Sequence, residues 1–160
     1  MKILAVDPGY DRLGIAVIDK NGTTKETLLY SDCYTTNPKD TFYTRLHQVS
    51  LEVARVIEKY SPDVFAMETL FFTKNQKTAL HVAETRGAIL YQALNNNLTV
   101  YEYTPIAVKI AVTGYGKSDK KQILSMVDKL ISINKKIKYD DEYDAIAIGL
   151  TCAAIHGRAK

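Results

Sequence analysis

Two apolar runs that each end in a carboxylate constrain this chain more than any other feature. Residues 3–6 are apolar and lead into Asp7, and residues 64–67 are apolar and lead into Glu68. Short, wholly apolar runs of this kind are typical of strands that are buried on both faces of a sheet. We therefore expect Asp7 and Glu68 at the ends of two central strands.

The order of the predicted elements indicates an α/β fold with a mixed five-stranded sheet. A three-stranded antiparallel meander comes first, and its first strand also pairs in parallel with later strands, with helices on both faces. Right-handed crossovers place the ends of the first and fourth strands side by side. The elements are strands at 3–6, 14–18 and 28–34, an amphipathic helix with Phe42, Leu46, Val49, Val53 and Ile57 on its apolar stripe, a strand at 64–68, a helix at 78–94, a strand at 98–103, and helices at 105–112, 118–131 and 140–156.

Length and composition are those of an ordinary globular protein. The 160 residues predict one domain, residues 1–160, and a 46% hydrophobic content excludes disordered and fibrous classes. The net charge of +3 is too small to argue for nucleic acid by itself. Two cysteines, Cys33 and Cys152, are too few for a disulfide framework, and we expect both in the core. Without an export signal or membrane-length apolar run, a cytoplasmic location is expected.

A second pair of carboxylates precedes the last helix. Asp141 and Asp144 are three positions apart in its first turn, so their side chains face the same way. Together with Asp7 and Glu68 they would form a set of four acids, whose mutual repulsion is usually offset by a divalent cation. Such a set suits metal-dependent phosphodiester hydrolysis with two Mg²⁺ ions. Helix capping is the alternative role for the second pair.

Four motifs occur along nearly the whole chain, and in this order they carry a family resemblance. They are Asp7-Pro8-Gly9 with Arg12 and Gly14; Glu68 followed by Phe71, Lys74 and Asn75; Ala83-Glu84-Thr85-Arg86-Gly87; and Asp141-Glu142-Tyr143-Asp144-Ala145-Ile146-Ala147. The set resembles the RuvC family of Holliday-junction resolvases. Any one of these motifs alone would be a weak signal.

The resemblance implies a ribonuclease-H-like fold and a structure-specific endonuclease. Its activity would be Mg²⁺-dependent cleavage of four-way DNA junctions by paired symmetric nicks, in recombination and repair, with Mn²⁺ as a possible substitute. It also implies a homodimer and a branch-migration motor complex as a further partner. The catalytic and metal-binding acids fall on Asp7, Glu68, Asp141 and Asp144, although Asp140 is adjacent and could take the place of Asp141.

DNA binding is expected from lysines and one aromatic loop. The resemblance places DNA contacts at Lys109 and Lys120, and Lys117 and Lys121 join Lys120 at a helix start, where backbone amides also attract phosphate. Lys135, Lys136 and Lys138 extend the positive set. In the loop after Glu68, Phe71 would wedge between unstacked bases, and Lys74 belongs to the same motif.

Other functions are compatible with parts of this pattern. A ribonuclease-H-like module could bind branched DNA without cutting it, and another nuclease of the same fold, including the shorter YqgF-type relatives, would share the acids. The turn from Asp7 to Gly14 also resembles the phosphate motif of actin-like kinases, but that architecture needs a second lobe, for which 160 residues leave no room. Gly87 inside a helical pattern predicts close packing against another element, either in the same chain or in a second subunit.

Overall fold

The structure is a computed structural model that describes residues 1–22, 24–69 and 76–157, with only the backbone of residues 76–78. The predicted DNA contacts Phe71 and Lys74 lie outside the described residues. No helix of the described part combines the length and apolar character needed to cross a membrane.

The chain forms five strands and five helices within its described residues. The elements are β1 (Lys2–Asp7), β2 (Arg12–Asp19), β3 (Thr27–Thr35), α1 (Phe42–Tyr60), β4 (Val64–Glu68), α2 (Gln76–Asn95), β5 (Thr99–Tyr103), α3 (Pro105–Thr113), α4 (Lys120–Leu130) and α5 (Asp140–His156).

The strands form one mixed sheet in the order β3-β2-β1-β4-β5. β1 pairs antiparallel with β2 and parallel with β4, and β4 pairs parallel with β5. The predicted mixed sheet and the adjacency of the first and fourth strands are therefore confirmed. The wholly buried apolar residues 3–6 of β1 explain this central position, because neither face of the strand meets water.

Helices cover both faces of the sheet, as the sequence predicts. On one face α1 and α2 pack through Val49, Val53 and Ile89 against the sheet. On the other face α3, α4 and α5 pack through residues such as Val108 and Val127. The apolar stripe predicted for α1 is the buried side of that helix, and its N-terminus is capped by the Thr41 side chain.

The two cysteines do not share one environment. Cys152 is fully buried in α5, as predicted for a core residue. Cys33 lies on β3, which is an edge strand, and is partly exposed, so the prediction of a core position is wrong for Cys33. The strand pattern around Cys33 in the sequence does not reveal that its strand has a partner on one side only.

Helix α5 lies unusually close to the centre of the sheet. A Cβ atom at Gly149 would be 2.7 Å from the Ile18 Cδ1 atom and 3.2 Å from the Ala5 Cβ atom. The absence of a side chain at this position lets the helix backbone approach β1 and β2. Because the start of the same helix carries Asp141 and Asp144, this contact also sets the position of those acids.

We expect Gly149→Val to destabilise the fold by about 1–3 kcal/mol, because the added side chain overpacks the contact with Ile18 and Ala5. Ala154→Val, at an exposed position of the same helix, is the matched control and should cost about 0.5 kcal/mol through helix propensity alone. Urea unfolding followed by circular dichroism measures both free energies of unfolding. Equal losses in the two variants would contradict the close-packing interpretation.

Candidate active site

Asp7 and Glu68 are neighbours at one edge of the sheet. They end β1 and β4, and the parallel register pairs Val6 with Met67 immediately before them. Both side chains therefore emerge from the carboxyl ends of adjacent parallel strands, where ligands bind in open α/β sheets. The two residues line a common cleft with Pro8, Thr69 and Arg86.

The first turn of α5 reaches the same edge because Gly14 has no side chain. Gly14 pairs with Asp7 across β1 and β2. A Cβ atom at Gly14 would collide with the carbonyl oxygen of Asp141 and would lie 3.2 Å from the Asp7 Cβ atom. The backbone of Asp141 can therefore pass directly over the strand pair that carries Asp7. The four predicted acids are gathered at this edge.

The charges of these acids interact. Burial and the nearby carboxylates of Asp144, Glu68 and Asp141 raise the pKa of Asp7 to about 7. Burial and the charge of Asp144 also raise the pKa of Glu68, although Lys109 opposes this. Asp7, which would be fully anionic in water at neutral pH, is thus only partly ionised there, and a compensating positive charge would favour its anion.

Two cations from the chain compensate part of that charge. The Lys120 Nζ atom is 3.2 Å from Asp144 Oδ2 and 3.2 Å from Asp140 Oδ2. The Arg12 Nε atom is 3.1 Å from Asp141 Oδ2. Burial raises the pKa of Asp144, and Lys120 opposes that rise. The sequence does not predict these ion pairs. It indicates Arg12 as part of a motif and Lys120 as a DNA contact.

Asp140 and Asp141 differ in their surroundings. The Asp140 side chain is 59% exposed and pairs with Lys120, whereas the Asp141 side chain is 22% exposed. The charge of Asp141 also helps to raise the pKa of Asp7. Of the two adjacent acids, Asp141 is the one whose position suits it to join the set.

The donor set fits a hard divalent cation. Among the described residues, no three His, Cys, Asp or Glu side chains are grouped closely enough to hold a metal ion as they stand. Two of the four acids instead contact Lys120 and Arg12. Burial and the charges of the other three acids nevertheless raise the pKa of Asp7, so negative charge is crowded at this point. Carboxylate oxygens are the ligands that Mg²⁺ prefers.

A buried carboxylate anchors the first turn of α5 to the edge strand. Glu142 is 4% exposed, and its Oε1 atom accepts a hydrogen bond from Ser31 Oγ at 2.6 Å and forms an ion pair with Lys135 Nζ at 2.6 Å. Lys135 also donates to the Ser31 carbonyl oxygen at 2.5 Å. Lys135 therefore has internal partners although its side chain is 46% exposed, and its expected part in DNA binding stays a prediction.

The loop after Asp7 is held by a buried arginine. Arg45 is 8% exposed, forms an ion pair with Asp11, and donates from Nε to Thr36 Oγ1 at 2.8 Å. Its guanidinium also lies over the Tyr10 ring, 5.0 Å from the ring centre. The sequence analysis does not predict this contact. The one sign of it in the sequence is an arginine within an otherwise apolar helix stripe, which indicates a buried charge in need of a partner.

The described lysines of the predicted DNA-binding set lie on one side of this edge. Lys109 and Lys120 line a cleft of about 260 Å³ together with Glu68 and Asp144, which we call the active-site cleft. Lys117 and Lys121 are exposed beside Lys120 at the start of α4. The cleft thus has an acidic centre and cationic walls, an arrangement that can hold a phosphodiester next to bound metal.

Comparisons with known proteins agree on one family. The family model described as "Crossover junction endodeoxyribonuclease RuvC" matches residues 3–152. A protein of that description from Thermosipho melanesiensis is 43% identical over 158 residues, which cover 99% of this chain and 99% of the relative. The structure of Thermus thermophilus RuvC in complex with Holliday junction substrate superposes with a TM-score of 0.88 at 30% identity, covering 96% of this chain and 93% of that chain.

We expect Asp7 of the metal-free protein to titrate near neutral pH, because burial and three neighbouring acids disfavour its anion. Its folded-state pKa of about 7 exceeds the ordinary 3.8. The protonated form therefore favours folding, and this stabilisation is lost as pH rises between those values. Carbon-13 NMR of the side-chain carboxyls measures the pKa, and Asp144→Asn should lower it while Asp32→Asn, on the edge strand, should not. An ordinary pKa for Asp7 would contradict the crowding.

Proposed function

Because the chain belongs to the RuvC family of crossover junction endodeoxyribonucleases, we propose that it resolves four-way Holliday junctions in DNA. Its ribonuclease-H-like fold, expected from the sequence, is confirmed by its structural neighbours. The observation that carries the proposal is that Glu68, Asp141 and Asp144 lie close enough to Asp7 to raise its pKa, beside a cleft that Lys109 and Lys120 line. Cleavage of one phosphodiester in each of two opposed strands would separate the joined duplexes.

The divalent cations, a pair of Mg²⁺ ions, would be held by Asp7, Glu68, Asp141 and Asp144. Such ions supply an activated water, neutralise the phosphoryl oxygens and stabilise the departing oxygen. Burial and three neighbouring carboxylates raise the pKa of Asp7, and positive charge bound beside it would favour its anionic form. Mn²⁺ meets the same oxygen-ligand preference.

The chain's own cations would bind and orient the substrate. Lys109 and Lys120 face the active-site cleft, where they can pair with the phosphates that flank the scissile bond. Lys120 contacts Asp140 and Asp144 at present. An incoming phosphate would compete for its ammonium group, and the carboxylate of Asp144 would then be available as a metal ligand. Water adds to the phosphorus atom, and the bond from phosphorus to the departing deoxyribose oxygen breaks.

A homodimer would match the two-fold symmetry of the substrate. Helix α2 carries exposed Leu80, Glu84, Gly87, Tyr91 and Leu94 at alternating spacings of four and three residues, so they form one stripe. Within the part of the chain that the structure describes, nothing lies within 4 Å of a Cβ atom built at Gly87. The close contact predicted for this glycine is therefore absent within the described chain, which favours a second copy as the packing partner.

Asp7→Asn should abolish cleavage of a synthetic four-way junction by several orders of magnitude while leaving junction binding within a few-fold, because the lysines remain. A gel assay with labelled junction and linear duplex, with and without Mg²⁺, measures both properties. The parent should nick the junction symmetrically and only with the metal. Binding without nicking by the parent would instead favour an inactive binding module, and equal cutting of duplex would favour a structure-indifferent nuclease.

Replacing Tyr91 and Leu94 together by lysine should convert the dimer to a monomer, because the charges would be buried at the proposed interface. Sedimentation velocity measures the mass of each form. Leu29→Lys, which alters an exposed apolar residue of the edge strand β3, is the control and should leave the dimer intact. A parent that sediments as a monomer with junction-cleaving activity would contradict the symmetric arrangement.

A further inference from the structure

The turn between α3 and α4 presents one aromatic ring on a firmly held backbone. The Tyr115 N–H donates to Thr113 Oγ1 at 3.1 Å, and the Tyr115 carbonyl accepts from Ser118 Oγ at 2.8 Å and from Ser118 N at 3.2 Å. Gly114 ends α3 in the left-handed region at a φ of 77°. Both backbone polar groups of Tyr115 are thus bonded inward, and its side chain is left at the surface.

The same turn is fixed against α3 by close packing. A Cβ atom at Gly116 would lie 3.1 Å from Ile106 Cγ2 and 3.4 Å from Ile110 Cγ1. Glycine therefore lets the turn lie this close to the helix without displacing the Ile106 side chain. Tyr115 is 59% exposed. Within the described chain, its ring does not stack on another aromatic ring or lie under a cation. A large exposed ring on a rigid turn loses little entropy when a ligand covers it.

The position of Tyr115 connects it to the active-site cleft. Tyr115 lines a second cleft of about 470 Å³, which we call the flanking cleft, together with Lys121, Met126 and Lys129. Ser118 and Asp119 line both clefts, so the two adjoin at the start of α4. A strand whose scissile phosphate lies beside Glu68 and Asp144 can continue directly into the flanking cleft.

The charge of this region favours a polyanion over a protein partner. Residues 105–130 contain five lysines and two aspartates, a net charge of +3 that equals the formal net charge of the whole chain. Of the two aspartates, Asp119 is engaged in capping α4, where its side chain accepts a hydrogen bond from Gln122 N at 2.9 Å. Single-stranded DNA binds where cations follow the backbone and aromatic rings stack on bases.

We propose that Tyr115 is a stacking platform for an unpaired base of the junction strand that passes from the active-site cleft into the flanking cleft. The inference rests on the proposed function and adds a specific contact to it. Lys121 and Lys129 would bind the phosphates on either side of the stacked nucleotide. Tyr115 is a DNA-binding residue in this role and takes no part in the chemical step.

Tyr115→Ala should weaken junction binding in metal-free buffer about tenfold, which corresponds to about 1.4 kcal/mol, because one base loses its stacking partner. Tyr115→Phe keeps the ring and should bind within about twofold of the parent. Fluorescence anisotropy of a labelled junction measures both affinities. Because Tyr115 is exposed, the variants should fold as the parent does, and circular dichroism checks this.

The chain contains no tryptophan, so a single introduced tryptophan reports on its own surroundings. The emission of Tyr115→Trp should fall when junction DNA is added, through stacking on a base. The control is Ile155→Trp, at a 52% exposed position in the last turn of α5 and about 21 Å along the helix from Asp141, where emission should not change.

Two results would overturn the proposal: binding by Tyr115→Ala within about twofold of the parent, or unchanged emission of Tyr115→Trp at saturating junction. Either would leave the resolvase function intact as long as the parent binds and cuts the junction. A parent that does not bind the junction at all would overturn the proposed function instead, so the two failures are distinguishable.

Discussion

The close approach of helix α5 to the paired strands β1 and β2 is the constraint on which the site depends. Two glycines permit it: Gly14, on β2 under the first turn of the helix, and Gly149, in the middle of the helix itself. Because of this approach, acids distant along the chain meet at one edge of the sheet. The arrangement is costly while the acids lack a partner, since like charges and burial together raise the pKa of Asp7 to about 7. Lys120 offsets part of that cost, and bound divalent cations would offset the rest.

Contacts on two sides of the site keep the four acids close together despite their mutual repulsion. Glu142 joins the start of α5 to Ser31 and Lys135, and Arg45 fixes the loop that follows Asp7. Each contact joins a buried charge to a partly exposed one, so removing either partner should cost more than breaking an ion pair between two surface groups. The backbone that carries the acids is therefore held in position before any ligand binds, although Asp141 and Asp144 contact Arg12 and Lys120 in that state. Such preorganisation lowers the reorganisation needed when a phosphodiester arrives.

Much of the fold could be predicted from the sequence, because periodicity and chain order determine it. The apolar runs that end in Asp7 and Glu68 predict two buried strands, and the order of the elements predicts that these strands are adjacent, which the structure confirms. The long-range pairing of flexible side chains could not be predicted in this way. Lys135 looked like any other basic surface residue, yet it bonds Glu142, and Cys33 looked like a core residue, yet it lies on an edge strand. The hydrophobic pattern predicts which positions are buried. It does not predict which lysine or arginine pairs with which carboxylate.

The most direct test of the central claim is paramagnetic broadening by Mn²⁺ of the side-chain carboxyl signals in carbon-13 NMR. If one metal site gathers the four acids, the signals of Asp7, Glu68, Asp141 and Asp144 should broaden together at the lowest Mn²⁺ concentration. Asp32, on the edge strand β3, should keep a sharp signal until much more Mn²⁺ is present. Broadening that begins at unrelated surface acids, or at only one of the four, would contradict the account.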